Sequence, residues 1–376
     1  MKVLFLCSAK SKYINRSYPH RIVQLEKQCR RLGVQTKLLF LGDFFFGSPA
    51  LIQPLNFRSI IKQINDNYDV IHAGGNGATY VIALLRHVIG SKPIVLYDVH
   101  GDVIAESHFV RKSLFDLEGY FNAFQMLVTE YLAVNHADYY ITASERLKQR
   151  LVTRNTSIKV DNVETIINGV DLDLFKPAKA ELEHAESHVF TVTYAGSFLP
   201  WQGVDTLTSA AELLSDQEVK FKLIGFSVKD QGLKRSIQEK LGNKVELIDW
   251  APRDNLIQHL SQSDVLIIPR KRHPALEVAF CTKFAEYVAL QKPVIITNVD
   301  ETSDLVKKFD CGFVCEPTPN SIAETIMTAK KTPRRILLQK GYNGRRLAET
   351  MLDQKIIGEK YLRFLGRIVR EKRENK

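Results

Sequence analysis

Nowhere in the 376-residue sequence does an apolar run approach the roughly 20 residues that cross a bilayer, so no transmembrane helix is expected. The opening MKVLFLCSAKSK holds only a short apolar stretch, too brief for a signal peptide, and a cytoplasmic protein is the expectation. None of the five cysteines (Cys7, Cys29, Cys281, Cys311, Cys315) belongs to a CxxC pair, which leaves buried free thiols as the expected state. GxGxxG and GxxxxGK[ST] are both missing, so the nucleotide fingerprints of dehydrogenases and P-loop ATPases are excluded. No long biased tract is present, and disorder is expected at the ends alone.

What remains is a globular composition, 45% hydrophobic and 25% charged, on a chain long enough for two domains. The formal net charge is +10. Such a balance attracts nucleic acid, anionic lipid or phosphorylated small molecules without choosing among them. No nucleic-acid reading module is recognisable, so no nucleic-acid partner is expected.

Short apolar or β-branched runs recur at VLFLC (3–7), QTKLLFL (35–41), VIHA (70–73), PIVLYDV (93–99), YYITA (139–143) and TIING (165–169), with helix-period segments between them. The rhythm restarts at VFTVTYAG (189–196), KFKLIG (220–225), VELIDW (245–250), VLIIPR (265–270), PVIIT (293–297) and GFVCE (312–316). Strands alternating with helices argue for a parallel doubly wound sheet, here twice in tandem. The expected α/β organisation is a first domain over 1–176, a polar linker over 177–188, a second domain over 189–355, and a terminal helix over 356–376. ETIINGVDLDLFKP (164–177) reads as the junction: Asn168-Gly169 turns after a strand, Phe175 anchors the departing chain and Pro177 ends regular structure. Its Asp171 and Asp173 have no nearby third ligand, so no metal site is expected.

Open parallel sheets bind ligands beyond the C-terminal ends of their strands. In the first half those ends deliver His100-Gly101-Asp102, the HAGGNG turn with Gly75, and CSAKSKYINRS with Asn15 and Arg16. His100 reads either as a loop cap or as a hydrogen-bonding group for a sugar or phosphate oxygen. In the second half YAGSFLPWQGVD puts Gly196, Ser197 and Gln202 between a strand and a helix expected near Val204, a geometry suited to a diphosphate. Arg270, Lys271 and Arg272 form a cationic cluster, and Lys283 and Glu286, three apart, share a helix face. That pair reads as a solvated salt bridge or as a phosphate cation beside a carboxylate for ribose hydroxyls.

The strings YDVHGD, ETIINGVDLDLFKP, YAGSFLPWQGVDTLTSA, SQSDVLIIPR and TKFAEYVALQKPVIIT resemble, in order and spacing, the family-4 glycosyltransferases of the GT-B fold. The resemblance implies two Rossmann-like doubly wound domains facing a central cleft. It also implies a nucleotide-sugar donor on the second domain, a glycan or lipid-linked acceptor on the first, and transfer with retention of configuration, without a cofactor or metal. Carried over by residue, Glu286 matches the ribose glutamate, His100 the histidine beside the transferred sugar, and Gly196 the diphosphate-loop glycine. Asn15, Arg16, Gly75 and Asp102 are assigned to the acceptor side; Ser197, Gln202, Arg270, Glu277 and Lys283 join the donor set.

Where the family has an arginine and a lysine against the diphosphate, this chain has Ser197 and Gln202, and Glu277 stands nine rather than eight residues before Glu286. Removing one preorganised donor to developing charge costs about 10²–10³ in rate, so another cation must compensate if the enzyme is to be efficient, and Lys283 is the first choice. The expected function is synthesis of a surface polysaccharide or glycoconjugate; the competing reading is a catalytically weak or inactive nucleotide-sugar-binding partner. SERLKQRLVTR (144–154) and the basic tail mix charge with apolar residues as a peripheral contact with anionic membrane would, although the resemblance favours packing of the tail (356–376) back on the first domain.

Overall fold

The computed structural model describes residues 1–11, 17–43, 61, 64, 67–89, 93–110, 116–177 and 189–374, and among these residues twelve parallel-paired strands and fourteen α-helices are delimited. Along the first half run β1 (Lys2–Cys7), α1 (Ser17–Arg31), β2 (Gln35–Phe40), β3 (Val70–Gly74), α2 (Gly75–Ile89), β4 (Ile94–Val99), α3 (Val103–Val110), α4 (Leu117–His136), β5 (Tyr139–Thr142), α5 (Glu145–Arg154) and β6 (Val163–Thr165). The second half holds β7 (Phe190–Ala195), α6 (Val204–Leu213), β8 (Val219–Phe226), α7 (Gln231–Leu241), β9 (Val245–Asp249), α8 (Arg253–Ser261), β10 (Val265–Ile268), α9 (Pro274–Glu277), α10 (Thr282–Ala289), β11 (Val294–Thr297), α11 (Glu301–Phe309), β12 (Gly312–Cys315), α12 (Pro319–Lys331) and α13 (Arg334–Leu347). A final helix, α14, covers Gln354–Glu374.

Two units result: Met1–Asn168 with Gln354–Lys376, and Gly169–Asp353. The first has strand order β2-β1-β3-β4-β5-β6 and the second β12-β11-β10-β7-β8-β9. Both are doubly wound, with the strand order reversing between β1 and β3 in one and between β7 and β10 in the other.

β1 shows why its sequence is apolar without a break. Val3, Phe5 and Cys7 pack with Ile22 and Leu25 of α1 and with Tyr361, Leu365 and Ile368 of α14. Leu4 and Leu6 point to the other face, against Ala78, Val81 and Ile82 of α2. A central parallel strand covered on both sides leaves no polar position. In the second unit Val192, Tyr194, Phe221 and Leu223 meet Leu207 and Ala211 of α6 and Ile322 and Ile326 of α12 in one core.

Several expectations shift. The strand expected at 165–169 is β6, ending at Thr165: the Ile166 N–H still donates to the Thr142 carbonyl at 2.9 Å. Asn168 then leaves the sheet, its side-chain oxygen accepting from Arg21 at 3.0 Å. The first unit therefore closes at Asn168 rather than at 176, and the second ends at Asp353 rather than at 355. Residues 169–177 belong with the second unit because the Val170 N–H donates to Leu352 (2.8 Å) and Arg345 donates to the Phe175 carbonyl (2.9 Å). Apart from Pro177, the linker expected over 177–188 lies outside the described residues.

In the two segments read as amphipathic, Leu147 and Leu151 of α5, and Leu365, Ile368 and Val369 of α14, are buried, whereas Val152 and Leu362 are half-buried. Among the described residues no helix is long and apolar enough to cross a membrane.

Candidate functional site

In the second unit the site is built around the end of β7, beside the point where strand order reverses. Gly196 has φ 146°, and a Cβ there would lie 2.2 Å from Lys283 Cε, so only glycine leaves room for this lysine. Lys283 Nζ donates to Gln202 Oε1 at 2.6 Å and sits 5.0 Å above the Tyr194 ring. Gln202 ends a single 3₁₀ turn, Pro200–Gln202. Gly203 follows at φ 75°, its α-carbon pressed on the Pro269 carbonyl, which a Cβ would approach to 1.7 Å. α6 then starts at Val204, as expected.

The loop is held from several sides. Tyr194 Oη donates to the Ser197 carbonyl at 2.5 Å, and the Lys271 N–H donates to the Trp201 carbonyl at 3.1 Å. Tyr287 Oη accepts from the Ala195 N–H at 2.9 Å and lies 3.2 Å from the Ala195 carbonyl. On α10, Lys283, Glu286 and Tyr287 occupy positions i, i+3 and i+4, so one helix face carries all three. Arg270 pairs with Asp300 at 2.5 Å, and Asp300 also caps α11 through the Thr302 N–H. The neighbouring cations go elsewhere: Lys271 to Asp205, Arg272 to Glu316.

Burial, helped by the nearby Arg270 charge, brings the Lys283 ammonium down to about 8 against the pull of Glu286 and Asp300. Burial likewise raises Glu286, opposed by Arg253 and Lys283. Gly196, Gln202, Arg270, Lys283 and Glu286 thus share one neighbourhood. Ser197 contributes its carbonyl to Tyr194. Glu277 ends α9, so the two glutamates sit on different helices.

The first unit builds a different arrangement. Asp98, inside β4, receives Arg21 Nε on both oxygens (2.9 and 3.1 Å) and lies 3.4 Å from His72 Nε2. His72 Nδ1 meets Tyr361 Oη of α14 at 2.7 Å. Burial would raise the Asp98 carboxyl, but Arg21 and His72 hold it well below the usual carboxylate range. His100, half-buried just past β4, is brought down to about 4 by burial and by the Arg21 charge, with Asp98 opposing. It is therefore a neutral imidazole at pH 7.

Asp102 is committed to structure: it takes Arg150 at 3.0 Å and Arg154 at 2.6 Å and accepts the Ala105 N–H at the start of α3. Gly75 opens α2 directly after β3. Asn15 and Arg16 lie outside the described residues. In the junction, Asp171 Oδ1 accepts the N–H groups of Asp173 and Leu174, a turn closed by its own side chain. Among the described residues no three His, Cys, Asp or Glu side chains converge as a metal site.

Sequence reading missed Arg21, His72, Asp98 and Tyr361 in one unit and Tyr194, Tyr287 and Asp300 in the other. The available signal was a charged or imidazole side chain inside an otherwise apolar strand, YDV and VIHA, which demands a buried partner without saying which.

Two tandem Rossmann-like parallel-sheet units of this kind are the GT-B architecture of glycosyltransferases. The fold matches sucrose-phosphate synthase from Thermosynechococcus elongatus (TM-score 0.76, 18% identity, all of both chains). It also matches HepE from Anabaena, solved in complex with UDP-glucose (TM-score 0.71, 19% identity, 98% of this chain and 100% of that one). The family models Glycosyltransferase Family 4, over residues 15–174, and Glycosyl transferases group 1, over 176–346, between them take in most of the sequence. The chain belongs to the family-4 glycosyltransferases. It is 24% identical over 321 residues to the capsular polysaccharide biosynthesis glycosyltransferase CapM of Staphylococcus aureus, covering 81% of this chain and 79% of the relative.

Proposed function

We propose that this glycosyltransferase moves a sugar from a nucleotide-sugar donor to a hydroxyl of a glycan or lipid-linked acceptor, with retention, in the synthesis of a surface polysaccharide or glycoconjugate. The observation that carries this reading is Lys283: an ammonium resting on the neutral oxygen of Gln202, over a glycine at a strand end, beside the start of a helix. Backbone N–H groups and a cation at such a point suit a diphosphate. The likeness to CapM supports the biosynthetic setting, and the UDP-glucose complex of HepE supports the donor class.

In this scheme Lys283, with Arg270 behind it, neutralises the departing diphosphate, so the cation absent at Ser197 and Gln202 is supplied from α10. Glu286 accepts the ribose hydroxyls, and Ser197, Gln202 and Glu277 complete the donor side. Neutral His100 hydrogen-bonds the transferred sugar. Gly75 serves the acceptor side through its backbone, and Asp102 by fixing Arg150 and Arg154. The acceptor oxygen bonds to the anomeric carbon on the face from which the bond to the diphosphate oxygen breaks, and the hydroxyl proton passes to that departing oxygen. Orientation and charge neutralisation supply the rate.

The test is transfer or donor hydrolysis by the purified chain across a panel of nucleotide sugars. Lys283→Ala is expected to cut turnover about 10²–10³-fold with a melting temperature no lower than that of the wild type. A loss below about tenfold, or binding without turnover in the wild type, would leave the non-catalytic partner as the better reading.

A further inference from the structure

A cavity of about 360 Å³ lies within the first unit, between the turn Gly101-Asp102 that follows β4 and the helices α3, α4 and α5. That volume falls in the range of pockets that enclose small ligands. The transfer scheme places no substrate in it.

The lining divides by chemistry. Val99 of β4, Val134 of α4, and Leu147 and Leu151 of α5 are buried and give the cavity an apolar interior, which favours a hydrocarbon group over water. Against them stand Arg150 and Arg154, one helical turn apart on α5. Both donate to Asp102, at 3.0 and 2.6 Å. The Asp102 side chain is 2% exposed, whereas those of Arg150 and Arg154 are 26% and 40% exposed. Each guanidinium carries five N–H donors and a carboxylate offers about four acceptor sites, so Asp102 cannot satisfy the pair. Two arginines and one aspartate also leave a surplus of one positive charge.

The remaining carboxyls add little negative charge. Burial pushes Glu130, which lines the cavity, up to about 7, although Tyr97 Oη donates to it at 2.5 Å, and burial together with Asp102 raises Glu106. Below neutral pH Glu130 is mostly a neutral carboxyl, able to donate a hydrogen bond.

An apolar hollow with one surplus cationic charge selects its occupant. A sugar would set hydroxyls against aliphatic walls, which is costly wherever one stays unpaired. A phosphate monoester brings nearly two negative charges to a surplus of one. A carboxylate matches that surplus and accepts two parallel bonds from a guanidinium fork. We propose that this cavity binds a small monocarboxylate with a hydrocarbon body, such as a medium-chain fatty acid, with its carboxylate on Arg150 and Arg154.

Calorimetric titration of the full chain at about pH 6 with octanoate, acetate, octanol and octylamine tests this. Octanoate is expected to bind at one site, at least about tenfold more tightly than acetate, which lacks the apolar body, or octanol, which lacks the charge. Octylamine, of opposite charge, is expected not to bind. Arg154→Met, at an exposed side chain, is expected to weaken octanoate at least about tenfold, and Leu127→Trp, which puts a larger side chain on the cavity wall, to block it. Melting curves establish that both variants are folded. Octanoate no tighter than acetate or octanol, equal binding of octylamine, uptake at many sites, or wild-type affinity in either folded variant would each overturn the proposal. Titration is carried out without donor, so its outcome is independent of the transferase reading.

Discussion

The two units share a doubly wound plan but treat charge at their strand ends in opposite ways. In the first, Arg21 finds the buried carboxylate of Asp98, and the charge is cancelled inside the protein. In the second, Lys283 hydrogen-bonds the neutral Gln202 and sits over an aromatic ring. A buried ion pair is structural, its value lying in the penalty for breaking it. A cation held by neutral groups with a perturbed pKa is of the kind that clusters at functional sites.

The sharpest way to break the contrast is Arg21→Ala. With side chains 3% and 0% exposed, the pair cannot be relieved by water, and removing one partner is expected to cost about 3–5 kcal/mol of stability, read by urea unfolding. The matching change in the second unit, Lys283→Ala, removes an ammonium whose lowered pKa marks it as a cost to folding below pH 8, and stability is expected to stay level or rise. Equal stability losses would show that the two cations play one role.

A pH series sharpens the same comparison by a smaller amount. Lys283 titrates near 8 in the folded chain, against an ordinary 10.5. The ammonium is present below pH 8 and lost above it, so donor affinity is expected to be level up to about 8 and then to fall by up to about tenfold per pH unit. Stability of the ligand-free protein moves the other way. Between about 8 and 10.5 the unfolded chain binds more protons at this site, so folding gains as pH rises. Calorimetric titration with donor and melting without it read the two trends, and Lys283→Met is expected to abolish both.

How much of this is legible in the sequence depends on the range of the interaction. The strands were, because a strand buried on both faces is an unbroken apolar run, and the helix start at Val204 was, because a glycine marks it. The return of the terminal helix to the first unit was legible through the family resemblance, but the unit boundary was not: the pinning of 169–177 by Arg345 is a contact between distant residues. The Lys283–Gln202 bond reverses the apparent defect at position 202, yet its partners stand 81 residues apart.

The smallest test concerns one tyrosine in each unit. Tyr361 ties α14 to β3 through His72, whereas Tyr287 bridges the N–H and carbonyl of Ala195, immediately before Gly196. Tyr361→Phe is expected to cost about 0.5–1.5 kcal/mol of stability, the net worth of a hydrogen bond, and to leave donor affinity untouched. Tyr287→Phe removes a similar bond but frees the backbone under the Lys283 loop, so donor affinity is expected to weaken a few-fold alongside the stability loss. Thermal melts with and without donor separate the cases: if the donor-induced shift is the same in both variants, Ala195 is held for packing alone, and the loop under Lys283 owes nothing to Tyr287.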